Sequence, residues 1–218
     1  GYPFDIPLSS AIKLFPLHEI DPNLHVVIDQ AKWFMREGQL VINLFHAERR
    51  IFSLAFSFAF EDQDVVAYVG AIQGRNIEGL LDLYRDITKN SHGMRPRDLM
   101  FEIFRMFVRN LGVKKIYAVA DTYRHHRSDY FGKNAKNIDY SMKYDEVWEE
   151  RGGMLQADKT CYAFDIMDGK KNLEDIPSKK RAAYRRRYEL LDQIEQKILM
   201  CSRDLYAHKL VVDPYHSS

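Results

Sequence analysis

Residues 51–60 read IFSLAFSFAF, a run in which bulky apolar side chains alternate with smaller ones. Phe52, Leu54, Phe56, Phe58 and Phe60 fall on one side of an extended chain, and Ile51, Ser53, Ala55, Ser57 and Ala59 on the other. Successive side chains of a strand point to opposite faces, whereas a helix would scatter the phenylalanines around its circumference. The run is therefore a strand. Its phenylalanine face has to be covered, and its small face lets a second layer or a ligand come close. The polar link Glu61-Asp62-Gln63-Asp64 leads into VVAYVGAI at 65–72, and the two runs predict an antiparallel hairpin. A chain built around such a hairpin must form a sheet and find something to cover it.

The cover is written downstream. After Gln73-Gly74-Arg75-Asn76 breaks the second strand, Ile77, Leu80, Leu81 and Tyr84 have the spacing of a short helix. Residues 88–97 (TKNSHGMRPR) form a polar, basic connection, and Pro96 suits the first turn of the helix that follows. Leu99, Met100, Ile103, Phe104, Phe107, Val108 and Leu111 make the stripe of a helix packed on a sheet, with Gly112 as its stop. Residues 114–120 (KKIYAVA) read as a short buried strand, 144–150 as a short helix stopped by Gly152-Gly153, and 160–166 (TCYAFDI) as a last strand. From Ser178 a helix carries Tyr184, Tyr188, Leu191, Ile194 and Ile198 as its apolar stripe. Before the hairpin, 25–28 and 39–45 are strand-like. Pro3, Pro7, Pro16 and Pro22 predict extended chain lying over the surface for the first thirty residues, with one short helix near 9–15. The order predicts an α+β (mixed α/β) fold: a single, mostly antiparallel central sheet flanked by helices. Residues 1–40 form a peripheral segment, 41–177 the core and 178–218 a basic C-terminal helix and tail.

Composition narrows the function classes. With 218 residues, 46% hydrophobic and 29% charged, the chain suits a soluble globular fold, and no apolar run is long enough to span a bilayer. The formal net charge of +1 means that attraction to a polyanion must come from a local patch. Cys161 and Cys201 are far apart and lack CxxC spacing, which argues against zinc and disulfides and for a reducing, cytoplasmic compartment. No export signal is visible at the start, and the first residue, Gly1, leads to the expectation of a trimmed N-terminal portion.

Three stretches carry candidate chemistry. The turn before the helix at Pro96 combines Lys89, His92, Gly93, Arg95 and Arg97 with a helix N-terminus, whose free N–H groups and partial positive charge suit an anion. Gln73 and Gly74, ending the preceding strand, are expected to reach the same place. Asp121, Tyr123, His125 and His126 follow the strand at 114–120, where a carboxylate or imidazole can act as a general base. With His92, Asp121 and His125 also make a conceivable metal set, though nothing has HxxxH or HExxH spacing. Lys170, Lys171, Lys179, Lys180, Arg181, Arg185, Arg186 and Arg187 make a basic stretch that would meet an acidic carrier, RNA or lipid headgroups, or be a solvated face balanced by Glu189, Asp192 and Glu195. Trp148 reads as a core anchor.

The strings YVGAIQG, TKNSHGMRPRDLM, GVKKIYAV, YDEVWEERGG and SKKRAAYRRRYELL, in this order, resemble the VirK/YbjX (DUF535) family over residues 45–194. The resemblance implies a bacterial protein associated with virulence and with tolerance of cationic antimicrobial peptides, and it brings no defined biochemistry. At the level of fold, strand, basic glycine turn, long helix and strand is similar to the acyl-CoA-binding core of the Gcn5-related N-acetyltransferases, and closer still to their aminoacyl-transferring branch. That resemblance implies a transferase moving an acyl or aminoacyl group to an amine or peptide. His92, Gly93 and Arg95 would lie on donor phosphates, and the YVGAIQG strand would splay from the IYAVA strand to admit the donor arm. Main-chain N–H groups of YVGAIQG would hold the oxyanion, His125 or Asp121 would be the base, and Tyr117 or Tyr123 the acid. Only Gly93 remains of the glycines that ordinary coenzyme A binding uses, which favours acyl carrier protein or aminoacyl-tRNA over free acyl-CoA as donor. The rivals are a non-catalytic module that docks its basic helix on a membrane or partner, and a metal-dependent enzyme using His92, Asp121 and His125.

Overall fold

A computed structural model of the chain describes residues 6, 10–75, 79–124, 142–167, 170–206 and 212–214. The alternating run is the middle of β4 (Arg49–Glu61), which turns through Asp62-Gln63 into β5 (Asp64–Gly74). Upstream lie β1 (Ser10–Pro16), β2 (Leu24–Asp29) and β3 (Leu40–His46); downstream are β6 (Lys115–Val119), β7 (Met154–Leu155), β8 (Cys161–Asp165) and β9 (Val212–Pro214). The nine strands form one sheet in the order β7-β8-β6-β5-β4-β3-β2-β1-β9. Every described pairing is antiparallel except β5 with β6.

Parallel neighbours need a crossover, and α1 (Leu80–Asn90) with α2 (Pro96–Asn110) supplies it. Helix α2 lays Leu99, Ile103, Phe104 and Phe107, all fully buried, against the β4 face that carries Phe52, Leu54 and Phe56. Helix α4 (Ser178–Tyr206) packs beside it through Leu190, Leu191, Ile194 and Ile198. The phenylalanine face is covered only in part, since Phe60 is 68% exposed. A 13-residue strand at about 3.3 Å per residue outlasts a 15-residue helix at about 1.5 Å per residue, so the tip of β4 runs past its cover.

The small face receives a second layer, as its side chains allow. Phe34, from the 3-10 turn Lys32–Phe34, packs with Ala31, Val41, Ala55 and Ala71. Gly70 lies where the β4–β5 register shifts, and a Cβ there would sit 1.9 Å from the Glu37 carbonyl oxygen. On the same face the buried Arg50 donates to Asp29 at 2.7 Å and to Asn43, which also accepts from Ser53 at 2.7 Å.

Two expectations are corrected. Residues 10–29 are not a surface segment with a short helix: they form β1 and β2, and Leu24 and Ile28 are fully buried. The alternation of buried Ile12 and Leu14 around exposed Lys13 is a strand period, and Pro16 stands at the strand end, where a missing donor is tolerated. Helix α1 runs on to Asn90, so Lys89 is helical and the basic turn shrinks to 91–95. Ser91 closes that turn, its hydroxyl bonding the Ile87 and Met94 carbonyls at 2.5 and 2.8 Å.

Candidate functional site

Strands β5 and β6 pair only from Val66↔Lys115 to Val69↔Ala118. Beyond that β6 ends at Val119 while β5 continues to Gly74. A gap therefore opens at the carboxyl ends of the parallel pair, beside the N-terminus of α2, and the main chain of Ile72 faces it. Tyr144, which begins α3 (Tyr144–Glu150), fills this gap. Its hydroxyl accepts from the Ile72 N–H at 2.8 Å and donates to the Ile72 carbonyl at 3.0 Å. The Arg124 guanidinium lies 3.8 Å from the Tyr144 ring centroid, and burial pushes the phenol's pKa up. Trp148, fully buried as expected of an anchor, donates from Nε1 to the Val119 carbonyl at 2.9 Å.

The residues read as base and acid take different positions. Asp121 is buried, with Arg124 Nη1 at 3.3 Å from its Oδ1, and it accepts the Tyr144 N–H at 3.4 Å; its own N–H donates to Asp145 at 2.7 Å. These contacts seat α3 on the end of β6. Tyr123 is 57% exposed on the turn that Asp121 opens. His125 and His126 lie outside the described residues. Among the described residues, no three His, Cys, Asp or Glu side chains converge as a metal site. Cys161 is half-buried and Cys201 buried, and both are free thiols.

The basic turn keeps its backbone character. His92 and Gly93 have φ of 55° and 87°, and Arg187 of α4 donates to the His92 carbonyl at 2.9 and 3.3 Å. Arg95 and Arg97 both grip Glu150, at the far end of α3, at 2.8 and 2.6 Å, and both bond Asp98. Burial raises the Asp98 carboxyl, but Arg151, Arg95 and Arg97 outweigh it and hold the group below its ordinary value. Thus α3 touches both halves of the region at once, through Tyr144 on β5 and Glu150 on the arginines. Lys89 is exposed on the last turn of α1. Gln73 is not brought to this group: it pairs with Ser53 on the sheet face away from the helices. Gly74 faces Phe52 and the Tyr84 hydroxyl, about two helical turns of α1 away from Gly93.

Sequence reasoning missed two partners of Tyr117. Parallel register sets Tyr68 beside it, with ring centroids 4.9 Å apart and 19° between planes. Both phenols donate to Glu61, each at 2.9 Å. Burial, then the hydrogen bond to Glu61, pushes the Tyr68 phenol up to about 12. The strands were legible, but their register was not, and register alone makes this pair.

Of the acids on α4, Glu195 pairs with Arg109 of α2, Asp192 pairs with Lys170 of the basic stretch itself, and Glu189 is exposed. Lys179, Lys180, Arg185 and Arg186 are exposed and make no ion pair among the described residues.

Several known proteins are similar to this chain. An uncharacterized protein of Haemophilus influenzae is 29% identical over 180 residues, 83% of this chain and 58% of its own length. The uncharacterized protein YbjX of Escherichia coli is 34% identical over 132 residues, 60% of this chain and 39% of its own. Membrane protein LapB of Mannheimia haemolytica is 31% identical over 88 residues, 40% of this chain and 38% of its own. The chain thus spans well under two thirds of these relatives. A solved protein of unknown function from Aquifex aeolicus aligns over 84% of this chain and 89% of its own with a TM-score of 0.26 and 10% identity, a level that carries no statement about fold. The family described as protein of unknown function (DUF535) matches residues 6–199, nearly the whole chain, and the chain belongs to that family, the VirK/YbjX proteins.

Proposed function

We propose that the chain is an acyl- or aminoacyl-transferase-like protein that takes its donor from a large acidic carrier and passes the acyl group to an amine. The observation that carries this reading is the divergence of β5 from β6 after Val69, with the Ile72 N–H and carbonyl turned into the gap. Ligands of open sheets with parallel strands gather at the carboxyl ends of those strands, beside helix N-termini. A donor arm entering here finds a main-chain N–H to polarise its carbonyl, with α2 starting alongside. The carrier would be met by α4, because Arg187 ties its basic half to the His92 carbonyl at the edge of this region. Lys179, Lys180, Arg185 and Arg186 are exposed and make no ion pair among the described residues, which leaves them available to an acidic acyl carrier protein or to aminoacyl-tRNA. Tyr144 would have to withdraw from Ile72 for the arm to bind.

Calorimetric titration with acyl-CoA, acylated carrier protein and aminoacyl-tRNA tests the proposal. A carrier-borne donor is expected to bind with steep salt dependence and to be lost in the Arg185→Glu/Arg186→Glu double variant. Absence of binding by all three donors would refute it.

A second reading is favoured by the same unpaired cations and by the name of one relative, a membrane protein: α4 docks on an anionic bilayer. Among the described residues, no helix is long and apolar enough to cross a membrane. Lysine and arginine near such a surface contribute about 1 kcal/mol each. Co-sedimentation with phosphatidylglycerol vesicles, abolished by Arg185→Glu/Arg186→Glu and unmatched by any donor titration, would select this reading over transfer.

A further inference from the structure

The tyrosine pair on the sheet face away from α2 offers chemistry opposite to that of α4. Tyr68 and Tyr117 stack at 4.9 Å, and their phenols hold the two oxygens of one carboxylate, Glu61, at 2.9 Å each. Each phenol donates, so the arrangement stabilises Glu61 as an anion at the edge of the stack. An ammonium has already been accepted there: Lys115 Nζ lies 5.1 Å from the centroid of Tyr117. Tyr68, 39% exposed, has no cation over it among the described residues. Tyr117 packs with Ala59, Val66, Cys161 and Ala163, and Tyr68 is the more exposed ring of the stack. Asp62 and Asp64, in the adjoining turn, are exposed and form no ion pair among the described residues.

We propose that Tyr68 and Glu61 form a binding site for an organic ammonium, with the alkyl chain lying on the Tyr68 ring and the charge beside the Glu61 carboxylate. The charge pattern selects this occupant. Glu61, Asp62 and Asp64 outnumber Lys115 at this patch, so it repels anions, and an exposed aromatic ring next to a fixed negative charge favours a cation over a neutral flat ligand. The same ring face gives the alkyl chain of a long amine an apolar surface that a metal ion or inorganic cation cannot use. The binding does not rest on the transfer reading above: Glu61 pairs with Asp64 at the amino end of β5, and Ile72 lies eight residues further along that strand.

Spermidine is the probe, titrated into the whole chain at low ionic strength with no donor present and followed by calorimetry and tyrosine fluorescence. Saturable binding is expected, weakened about tenfold or more by Tyr68→Leu and by Glu61→Gln, and little changed by Tyr68→Phe, which keeps the ring. Asp82→Asn, on the outer face of α1 and paired with Arg85, controls for general acidity and should bind as the parent does. Absence of saturable binding overturns the proposal, as does retention of parental affinity in Tyr68→Leu, whose fold is verified by its unfolding midpoint. Failure of every acyl donor to bind, with spermidine still bound through Tyr68, would remove the transfer reading and leave this site standing.

Discussion

Tyr144→Phe removes one oxygen atom and tests whether the gap between β5 and β6 is closed by that atom. In the native chain the hydroxyl satisfies both the N–H and the carbonyl of Ile72, at 2.8 and 3.0 Å, inside a residue that is 1% exposed. Removing it leaves a buried donor without a partner, at about 1–3 kcal/mol, and a carbonyl that loses one bond; together these give a destabilisation of about 2–3 kcal/mol. The ring stays, so packing against Trp148 and the Arg124 guanidinium is retained, and no large cavity is made. With a denaturant slope of about 2 kcal/mol/M in urea, the unfolding midpoint should fall by about 1 M. Tyr162→Phe is the control: its hydroxyl bonds Glu149, an exposed side chain that returns to water, so it should shift the midpoint far less. A shift for Tyr144→Phe below about 0.5 kcal/mol, or equal to the control, would refute the argument. It would mean that water or a rearranged β5 already satisfies Ile72.

Three further outcomes follow from the same structure. Gly70→Ala places a Cβ 1.9 Å from a main-chain oxygen that cannot swing away, and should destabilise by about 1–3 kcal/mol or more in urea unfolding. Arg50→Met leaves Asp29, which is fully buried, without its guanidinium, and should cost about 3–5 kcal/mol, read as a lowered thermal midpoint. For Asp98 the sign is fixed by its depressed carboxyl: its contribution is present above its ordinary 3.8 and is lost as pH falls through the lower folded value. Asp98→Asn should therefore weaken the chain most at neutral pH, and its stability should approach that of the parent as pH falls through that lower folded value in unfolding curves.

Much of the scaffold was legible because it depends on local pattern. The alternation at 51–60, the proline and glycine that bound α2, and the stripe of α4 each act over one or two turns of chain, and each element lies where its pattern puts it. In the first thirty residues the prolines outweigh a short alternation around Lys13, and burial of a strand depends on partners that local pattern does not name. The candidate site was harder for the same reason. Arg95 and Arg97 announce an anion site, yet their nearest anion is Glu150, fifty-odd residues on, and no spacing rule links them. Gln73 and Gly74 are neighbours in sequence, and strand geometry sends them to opposite faces. Tyr68 and Tyr117 meet only through the register of a parallel pair.

The strand order also carries a consequence for how the molecule assembles. From β1 to β5 each strand lies beside its predecessor, so that half of the sheet can zip up through short turns with little loop entropy to overcome. Beyond β5 the order breaks. Strand β6 waits for α1 and α2, β8 enters next to β6 ahead of β7, and β9 reaches β1, pairing Val212 with Ile12 across most of the chain. Contacts of such wide sequence separation form slowly. The gap at Ile72 is thus the seam between a meander that folds early and a half that arrives late, and α3 joins that seam after both sides exist. Pulse-labelled amide exchange during refolding should therefore see β3 to β5 protected before β6.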